Sequence, residues 1–344
     1  MKKKTYKILD LIFIFTALIS AGFLIWQFWP SKISWFNEKN SSETVVEEKH
    51  FFIDKFTGLP SNNEEDVNPR AISVMIDNHP EAFPLNGLNE ARVVYEAPVE
   101  GGMTRFLAIF SSASQVEKVG PVRSARPDYL DWVKEYGRPL YLHCGGSPEA
   151  LGILKIERGL WDINEFYQSK YFWRESSRLA PHNLFTSSSL WQNIFEEKNV
   201  EDANWQSFLF GQNPTTTEAK NLEIIYSPNF NIVWKYNDLE KNYERYFRNK
   251  PMSDEKEDLI TAQTIIITKN KVKILDEIGR RAIYNIGSGE VYILAKGRMV
   301  IGMWKKTKSE FRTRFYDEEG GELSVPPGKI WFMSVPEENE VKIY

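Results

Sequence analysis

An uncharged apolar run near the N-terminus constrains this chain more than any other feature. Residues 11–29 read LIFIFTALISAGFLIWQFW, and only three side chains in that run are polar. Its length is close to the roughly 20 residues that a helix needs to cross a bilayer. The run ends in aromatic residues, which are typical of a membrane interface, and not in the small residues of a cleavage site. We therefore predict an uncleaved single transmembrane helix within residues 1–30.

The charges that flank this run predict its orientation. Lysines stand at positions 2, 3, 4 and 7, whereas residues 31–68, which we interpret as a polar tether, mix both signs of charge. Because positively charged flanks stay in the cytoplasm, we expect a cytoplasmic N-terminus and an extracytoplasmic location for the bulk of the chain. The membrane is thus the first predicted partner, contacted through the N-terminal helix.

Charge and cysteine content argue against two further classes of protein. The 344 residues carry a formal net charge of -4 at pH 7. A nucleic-acid-binding domain normally shows a basic face, so we expect no nucleic-acid partner. Cys144 is the only cysteine, so the exported part has no internal disulfide and its domains depend on packing alone.

Segments typical of strands and helices alternate between residues 69 and 200. The strand-like runs are AISVMI (71–76), RVVYEAPV (92–99), MTRFLAIF (103–110), KVGPV (118–122) and PLYLHC (139–144). The helix-like runs are PDYLDWVKEY, SPEALGILK and SLWQNIFEEK (189–198). This alternation predicts an α/β domain with a mixed sheet and flanking helices.

The second half of the chain is richer in β-branched and aromatic runs. Residues 201–221 contain Asn213, Pro214 and several threonines and are interpreted as a linker. From residue 222 to residue 344, short runs separated by turn signals predict a smaller, mainly-β C-terminal domain, arranged as a sandwich or a barrel-like sheet. These runs are LEIIY, NIVWKY, YERYF, TIIIT, VYILA, RMVIGMW, RTRFY and KIWFM.

Two loops place polar groups where a sheet is expected to end. Asp77, Asn78 and His79 follow the first buried strand, and ligands of α/β sheets bind beyond such carboxyl ends. Turn chemistry explains the same residue types equally well. In HCGGSPEAL, Gly145 and Gly146 open a helix whose N-cap is Ser147; the turn offers backbone N–H groups to an anion, and capping accounts for the serine.

Arginines near these loops raise a choice between ligand binding and internal pairing. In GPVRSARPDYLDW, Arg123 and Arg126 precede a helix start, where a cation is unfavourable without a nearby anion. If an acid such as Glu96, Glu100 or Asp131 pairs with them, removing one arginine costs about 3–5 kcal/mol. If a ligand pairs with Arg123 and Arg126 instead, the charge of these arginines is uncompensated in the free protein.

We expect a mixed outcome for these arginines. Arg126 is expected to be structural, because it adjoins Pro127 and can reach neighbouring acids. Arg105 and Arg123 are expected to face the cleft, because they lie on or just after strands that feed the loop edge of the sheet. Arg178 lies farther along the chain, in RLAPHN.

Histidines and the single thiol are weaker candidates for chemistry. His79, His143 and His182 have spacings that match no compact metal signature, so no metal site is predicted. Cys144 adjoins His143, but neighbouring residues of a strand point to opposite faces, so we expect a buried thiol and no catalytic pair. His182 and Asn183 of RLAPHN complete the set of predicted ligand-binding residues.

Longer segments of the chain resemble a known family. AISVMIDNHPEAFPLNGLNEARVVYEAPVEGGMTRFLAIF, EKVGPVRSARPDYLD, HCGGSPEAL and RLAPHNLFT are similar to the YerB-like family of bacterial envelope proteins, usually described as lipoproteins. GEVYILAKGRMVIGMWKKTKSEFRTRFYDEEGGELSVPPGKIWFMSVP resembles the separate C-terminal domain of that family. The resemblance runs from about residue 56 to the end. It implies an envelope protein of unknown activity with no established catalytic residues.

This chain departs from the family pattern in two places. Cys144 stands where the family has alanine, which argues against a catalytic thiol. A spanning helix also stands where the family has a lipidated cysteine. A looser similarity of layout, an arginine on a strand followed by an Arg-Pro turn, links the chain to the LytR-CpsA-Psr wall-polymer ligases.

Taken together, these features favour a non-catalytic, membrane-anchored module of the cell envelope. We expect it to recognise an anionic cell-wall precursor or an envelope-synthesis protein, without a cofactor. The alternative is an enzyme that acts on polyprenyl-pyrophosphate-linked polymers, in which Arg105, Arg123 and Arg126 hold phosphates and Asp77 or Glu100 assists. That enzyme needs a divalent metal or an acidic cluster. A third hypothesis is a purely structural scaffold whose arginines pair internally.

Overall fold

The computed structural model of the chain describes residues 52–201, 204–213 and 216–344. The predicted transmembrane helix and most of the predicted tether lie outside these residues. Among the helices that are described, none is both long enough and apolar enough to cross a membrane. Residues 51–344 cluster as one compact unit.

The N-terminal half of the described chain, residues 52–201, contains most of the strands and helices that the sequence predicts for it. Its strands are β1 (Phe52–Ile53), β2 (Pro60–Ser61), β3 (Ala71–Ile76), β4 (Val93–Pro98), β5 (Thr104–Ser111), β6 (Leu140–His143), β7 (Trp161–Asn164), β8 (Trp173–Arg174) and β9 (Leu184–Phe185). Its α-helices are α1 (Leu130–Val133), α2 (Pro148–Ile156) and α3 (Ser188–Lys198). Single 3₁₀ turns occupy Glu64–Val67, Pro80–Ala82, Glu100–Gly102, Pro127–Tyr129, Lys134–Tyr136 and Ser169–Tyr171.

Local signals explain where several of these elements begin and end. Helix α2 starts after Ser147, whose Oγ accepts a hydrogen bond from Ala150 N, with Pro148 in the first helical position. Helix α3 ends at Asn199, which adopts a left-handed conformation with φ of 46°. The run at 118–122 is the exception. It makes only isolated bridges, because Val119, Gly120 and Val122 each pair with a different segment.

The C-terminal half contributes strands that overlap all eight predicted runs. These strands are β10 (Thr217–Glu218), β11 (Asn221–Ser227), β12 (Phe230–Asn237), β13 (Asn242–Phe247), β14 (Lys250–Pro251), β15 (Thr261–Ala262), β16 (Thr264–Asn270), β17 (Val272–Ile274), β18 (Arg281–Ile283), β19 (Gly287–Ala295), β20 (Arg298–Lys306), β21 (Arg314–Tyr316), β22 (Ile330–Pro336) and β23 (Val341–Ile343). Within the described ranges, this half has no α-helix.

One mixed sheet contains strands from both halves. In the described part of the chain it has 11 strands, in the order β10-β20-β19-β16-β22-β4-β5-β3-β6-β7, with β21 paired to β20. The halves meet where β22 runs parallel to β4, with Ile330 opposite Val93. Strands on both sides of the predicted linker therefore share one hydrogen-bonded sheet. A smaller sheet, β14-β13-β12-β11-β23 with β15, comes from the C-terminal half alone.

The two faces of the large sheet bury different cores. Alternate residues of β3 show this, since Ile72 and Val74 belong to one cluster and Ala71 and Met75 to the other. The first cluster includes apolar residues of the smaller sheet and of α3. The second includes residues of α1 and α2. We call these the first face and the second face of the sheet.

A buried ion pair joins the two halves on the first face. Glu96 of β4 and Arg245 of β13 are both inaccessible to solvent, and Arg245 Nη2 lies 2.7 Å from Glu96 Oε1. The carboxylate also accepts hydrogen bonds from Thr104 Oγ1 at 2.7 Å and from Trp331 Nε1 at 2.8 Å. The guanidinium lies over the rings of Phe106 and Trp331. The ion pair and the added hydrogen bonds allow these charges to be buried.

A second buried carboxylate joins the halves on the second face. Glu135, just after α1, is enclosed with Lys306 of β20 and Arg312. Arg312 Nη1 donates to Glu135 Oε2 at 2.7 Å, and Lys306 Nζ donates to Oε1. Thr313 Oγ1 donates to the same carboxylate at 2.8 Å. The acid comes from the N-terminal half and its cations come from the C-terminal half, as on the first face.

We expect the Arg245→Met variant to lose about 3–5 kcal/mol of unfolding free energy, because it leaves the Glu96 carboxylate buried without its cation. The double variant Glu96→Gln/Arg245→Met should lose less, since the glutamine is neutral and still accepts from Trp331. Denaturant unfolding of the wild-type protein, the single variants Glu96→Gln and Arg245→Met, and the double variant checks this. A double variant that loses the sum of the two single losses would show that the charges are not coupled.

Candidate functional site

Several of the predicted site residues meet at one edge of the large sheet. Strands β3 and β6 are parallel neighbours, so their carboxyl ends lie at the same edge. Strand β5 runs antiparallel to β3 and begins there. The segment 122–126 crosses this edge, bridging from Ile76 at Val122 to Gly146 at Ala125. We call this region the arginine edge, defined by Asp77, Glu100, Arg105, Arg123 and Arg126.

Asp77 connects an arginine to a histidine at this edge. Its side chain is almost fully buried, and Oδ2 lies 3.0 Å from Arg123 Nε. The same oxygen is 2.7 Å from Nδ1 of His182. Oδ1 accepts a hydrogen bond from the backbone N–H of His79 at 3.1 Å. The loop after β3 and the distant RLAPHN segment are thus joined at one carboxylate.

Arg126 pairs with an acid of the chain, as predicted. Its Nε and Nη2 atoms donate to the two carboxylate oxygens of Glu100, at 2.8 and 2.9 Å. Both side chains are mostly buried. Burial alone raises the pKa of Glu100, but the hydrogen bonds and charge of Arg126 outweigh it and hold that pKa below its ordinary value. Arg126 and Glu100 therefore compensate each other.

Arg105 is buried without a carboxylate in contact. Only 7% of its surface is exposed. Its Nη1 donates to the backbone oxygen of Ser124 at 2.9 Å, and its Nε has no hydrogen-bond partner within the described residues. Burial, together with the nearby charges of Arg126 and Arg123, lowers the pKa of Arg105 to about 10 against the attraction of Asp77. The chain offsets only part of the desolvation cost of this guanidinium.

The arginine edge as a whole has an excess of positive charge. Three guanidinium groups, at positions 105, 123 and 126, face two carboxylates, Asp77 and Glu100. Tyr141 adds another unpartnered polar atom, because its hydroxyl is buried without a hydrogen bond in the described structure. Burial and Asp162 raise the pKa of that hydroxyl, and the charges of Arg105 and Arg126 oppose them. An anion at this edge would balance the charge.

The glycine turn offers fewer free donors than the sequence suggests. Gly145 turns the chain with φ of 60°, and its N–H donates to Asn164 Oδ1 at 3.0 Å. The N–H of Ser147 donates to Ala125 O at 3.2 Å. The Ser147 hydroxyl caps α2. Gly146 lies beside Ala125. The turn therefore adjoins the arginine edge, but most of its polar groups serve the fold.

Two predicted site residues contribute to local structure and do not hydrogen-bond to the side chains of the arginine edge. Asn78 points to the first face, where its Nδ2 donates to Thr104 Oγ1 at 2.7 Å within the Glu96 network. Asn183 accepts a hydrogen bond from Arg174 Nη1 at 2.9 Å and donates to two backbone oxygens of the 175–178 turn. Both amides hold loops in place.

His143 is a structural residue in this arrangement. The buried ring stacks on Tyr141, with the ring centroids 4.9 Å apart. Its Nε2 lies 2.6 Å from Asp162 Oδ1, and its Nδ1 lies 2.7 Å from Gly145 O. These contacts use both ring nitrogens, so His143 supports the glycine turn and does not join the other two histidines.

Cys144 does not pair with His143, and it is half-buried where we expected a buried thiol. Its Sγ lies 3.5 Å from Glu165 Oε2 and 3.8 Å from Arg174 Nη2. Burial raises the pKa of the thiol, Glu165 raises it further, and Arg174 opposes them. A raised pKa is the opposite of what nucleophilic catalysis requires.

One residue that the sequence analysis missed completes a cluster with the two remaining histidines. Glu81 follows His79 by two positions, and its carboxylate lies near both His79 and His182. The histidine rings stack with centroids 5.0 Å apart. The pattern His-Pro-Glu at 79–81 was visible in the sequence, but its partner lies about 100 residues farther along. No local spacing could reveal the cluster.

The comparisons with known proteins agree with the resemblance seen in the motifs. Residues 56–201 match the N-terminal domain, and residues 222–332 the C-terminal domain, of the family described as "Protein of unknown function (DUF3048)". The chain belongs to this family, and the predicted YerB-like membership is confirmed in both halves. The interval between the two matches covers nearly the same residues as the predicted linker.

The YerB protein of Bacillus subtilis resembles this chain over most of its length, both in sequence and in its crystal structure. A protein of strain 168 named "Putative lipoprotein YerB" is 31% identical over 292 residues, which cover 82% of this chain and 85% of that protein. The crystal structure of YerB protein from Bacillus subtilis has a TM-score of 0.75 at 28% identity, and covers 85% of this chain and 99% of that one. The observed sheet-rich fold is therefore that of a solved family member.

Removing charge from Arg105 and from Arg126 should affect stability differently. Arg126→Met leaves Glu100 unpaired and should cost about 1–3 kcal/mol. Arg105→Met removes a buried charge that contacts no carboxylate and should change the unfolding free energy by less than about 1 kcal/mol. Denaturant unfolding of both variants checks this. Equal losses would mean that contacts within the chain compensate Arg105 as fully as Arg126.

The Cys144 thiol should react slowly with iodoacetamide at pH 7, several-fold slower than free cysteine, because burial and Glu165 disfavour the thiolate. As the chain has one cysteine, the labelled fraction over time measures this thiol directly. The Glu165→Gln variant should react faster, since it removes a negative charge beside the sulfur. Labelling faster than free cysteine would identify an activated thiol.

Proposed function

We propose that this protein is an extracytoplasmic, membrane-associated binding protein of the cell envelope, and that its arginine edge binds an anionic group of a cell-wall precursor without catalysing a reaction. The chemistry of the site favours a phosphate or a pyrophosphate. Guanidinium groups bind such oxyanions through several charge-assisted hydrogen bonds.

The observation that carries this proposal is the condition of Arg105. The residue is 7% exposed, and among the described residues its guanidinium contacts no carboxylate and its buried Nε has no hydrogen-bond partner. Isolated buried charges are costly, so an uncompensated one is typical of a site whose partner is a ligand. The charge of Arg123 acts on Arg105, and 23% of the Arg123 side chain is exposed to solvent. An anion bound by both would remove the local excess of charge.

Two observations support the proposed location. The relative from Bacillus subtilis is named as a lipoprotein, and a lipoprotein is held at a membrane surface. In the present chain, the apolar run at 11–29 would serve as the anchor in place of a lipid. The lysines before the run favour placing the binding domain outside the cytoplasm.

Protein recognition at the same edge remains part of this proposal, because a carboxylate or phosphate on a partner would contact the same arginines. The enzymatic alternative on polyprenyl-pyrophosphate polymers uses the arginine edge in the same way, but adds turnover. Product release separates the two functions, since a binding protein leaves the lipid-linked phosphate intact.

Sodium pyrophosphate should raise the thermal midpoint of the full chain in detergent, measured by tryptophan fluorescence without added divalent metal. At 100 times the dissociation constant, the expected stabilisation is about 2.7 kcal/mol. Arg105→Met and Arg123→Met should lose this shift. Arg158→Met is the matched control, because Arg158 is exposed and its side chain donates, among the described residues, only to the Glu157 backbone oxygen.

Two outcomes would contradict the proposal. An undiminished pyrophosphate shift in Arg105→Met would place anion binding elsewhere. Release of phosphate from a lipid-linked pyrophosphate, lost in the arginine variants and retained in Arg158→Met, would establish the enzymatic alternative.

A further inference from the structure

Two histidines and an acid lie together beside the arginine edge, although no local sequence pattern predicted a metal site. One potential ligand atom from each of His79, Glu81 and His182 lies within 4.8 Å of the other two. Glu81 Oε2 is 3.9 Å from His79 Nδ1 and 3.6 Å from His182 Nε2. Ligands of a tetrahedral zinc ion lie about 2.0–2.2 Å from the metal and hence roughly 3.4 Å from one another. Small side-chain shifts bring these atoms to that spacing.

A buried carboxylate orients one of the histidines. Asp77 Oδ2 is 2.7 Å from His182 Nδ1, so that nitrogen donates to the carboxylate and Nε2 is directed towards Glu81. Within the described residues, His182 Nε2 has no hydrogen bond of its own. A histidine whose far nitrogen donates to a carboxylate is the usual second shell of a metal centre. This geometry leaves Nε2 ready to bind a metal.

The loops that carry the ligands are held together by other contacts. Arg178, four residues before His182, donates from Nη1 to Ala82 O at 2.8 Å and from Nη2 to Pro84 O at 2.9 Å. These oxygens belong to the segment that follows His79 and Glu81. The two loops therefore meet without help from the ligand side chains. The cluster is largely preorganised, which lowers the cost of binding an ion.

A purely structural role accounts for part of the cluster. His79 Nδ1 accepts a 3.2 Å hydrogen bond from Glu81 N and so caps the 3₁₀ turn Pro80–Ala82. That contact explains His79, and a metal on Nδ1 would replace it. It does not explain why His182 approaches from 100 residues away with its Nε2 free, nor why Asp77 fixes its tautomer.

We propose that His79, Glu81 and His182 bind a divalent transition-metal ion, with Asp77 as the second-shell partner of His182. Two imidazoles and a carboxylate favour zinc over magnesium or calcium, which prefer oxygen ligands. Three protein ligands leave a coordination position open. The site does not depend on anion binding by the arginines, although Asp77 contacts both His182 and Arg123.

The test is Zn²⁺ affinity of the full chain, purified in detergent without a histidine tag and measured by competition with a chromogenic chelator. We expect one ion per chain. Asp77→Asn should weaken binding about 10–100-fold, and His182→Gln should weaken it by more. Glu81→Gln is the variant least able to disturb folding, because 76% of that side chain is exposed, and it should also weaken binding. Co²⁺ should give the intense visible absorption of a tetrahedral site.

The controls separate this site from other binding. Glu117→Gln changes a carboxylate that is 91% exposed and lies outside the cluster, so it is matched to Glu81→Gln and should leave affinity unchanged; an equal loss in that variant would show non-specific binding and overturn the proposal. Arg105→Met should retain Zn²⁺ while losing pyrophosphate, so failure of one site is distinguishable from failure of the other. Unchanged Zn²⁺ affinity in both Glu81→Gln and His182→Gln would likewise refute the assignment.

Discussion

Burial of charge between the two halves of the chain organises the rest of this structure. Glu96 and Arg245 are both fully enclosed, and their contact joins β4 of the large sheet to β13 of the smaller one. Glu135 is enclosed with Lys306 and Arg312 on the opposite face. A buried ion without its partner is strongly destabilising, so each half requires the other to complete its core. Backbone hydrogen bonds between β4 and β22 join the same two halves within one sheet.

The candidate site depends on the same sheet. Strands β3, β5 and β6 hold their loops at one edge, and the 122–126 segment lies across them. The cores on both faces keep these strands rigid, which is why an uncompensated guanidinium can be maintained there. Arg105 differs from Arg245 in one respect: Arg245 has a carboxylate supplied by the chain, and Arg105 does not. The contrast separates charges that stabilise the fold from a charge available to a ligand.

Local patterns in the sequence predicted the elements well. The compact, mainly apolar run AISVMI forms β3 at the predicted bounds, and Ser147 caps the start of α2 as expected. A structural role for Arg126 was also expected, although its acid, Glu100, lies 26 positions earlier and not beside the helix start. The predictions of β3 and of the α2 cap succeeded because each depends on the chemistry of a few neighbouring residues.

The local sequence patterns could not predict which distant strands and side chains pair with one another. A strand run does not state its partner, so the joining of β22 to β4 and the division of the C-terminal strands between two sheets could not be read from periodicity. The same limit applies to His79, Glu81 and His182, which come together only after the RLAPHN loop docks on the segment after β3. The burial of Arg105 away from a carboxylate likewise depends on the folded structure, which no spacing reveals.

The separation of Glu96 from Arg245 by 149 positions has a consequence for how the protein is made. During synthesis, β4 emerges long before β13 and β22, so for that interval its carboxylate has no cation and its edge has no parallel neighbour. Burying β4 before its cation arrives would leave an unpaired charge in the core, so the strand is more stable exposed to water at that stage. Long-range parallel pairing is also slow to form. Maturation therefore awaits the arrival of the last strands, and truncation anywhere before β22 yields a chain with an open sheet edge.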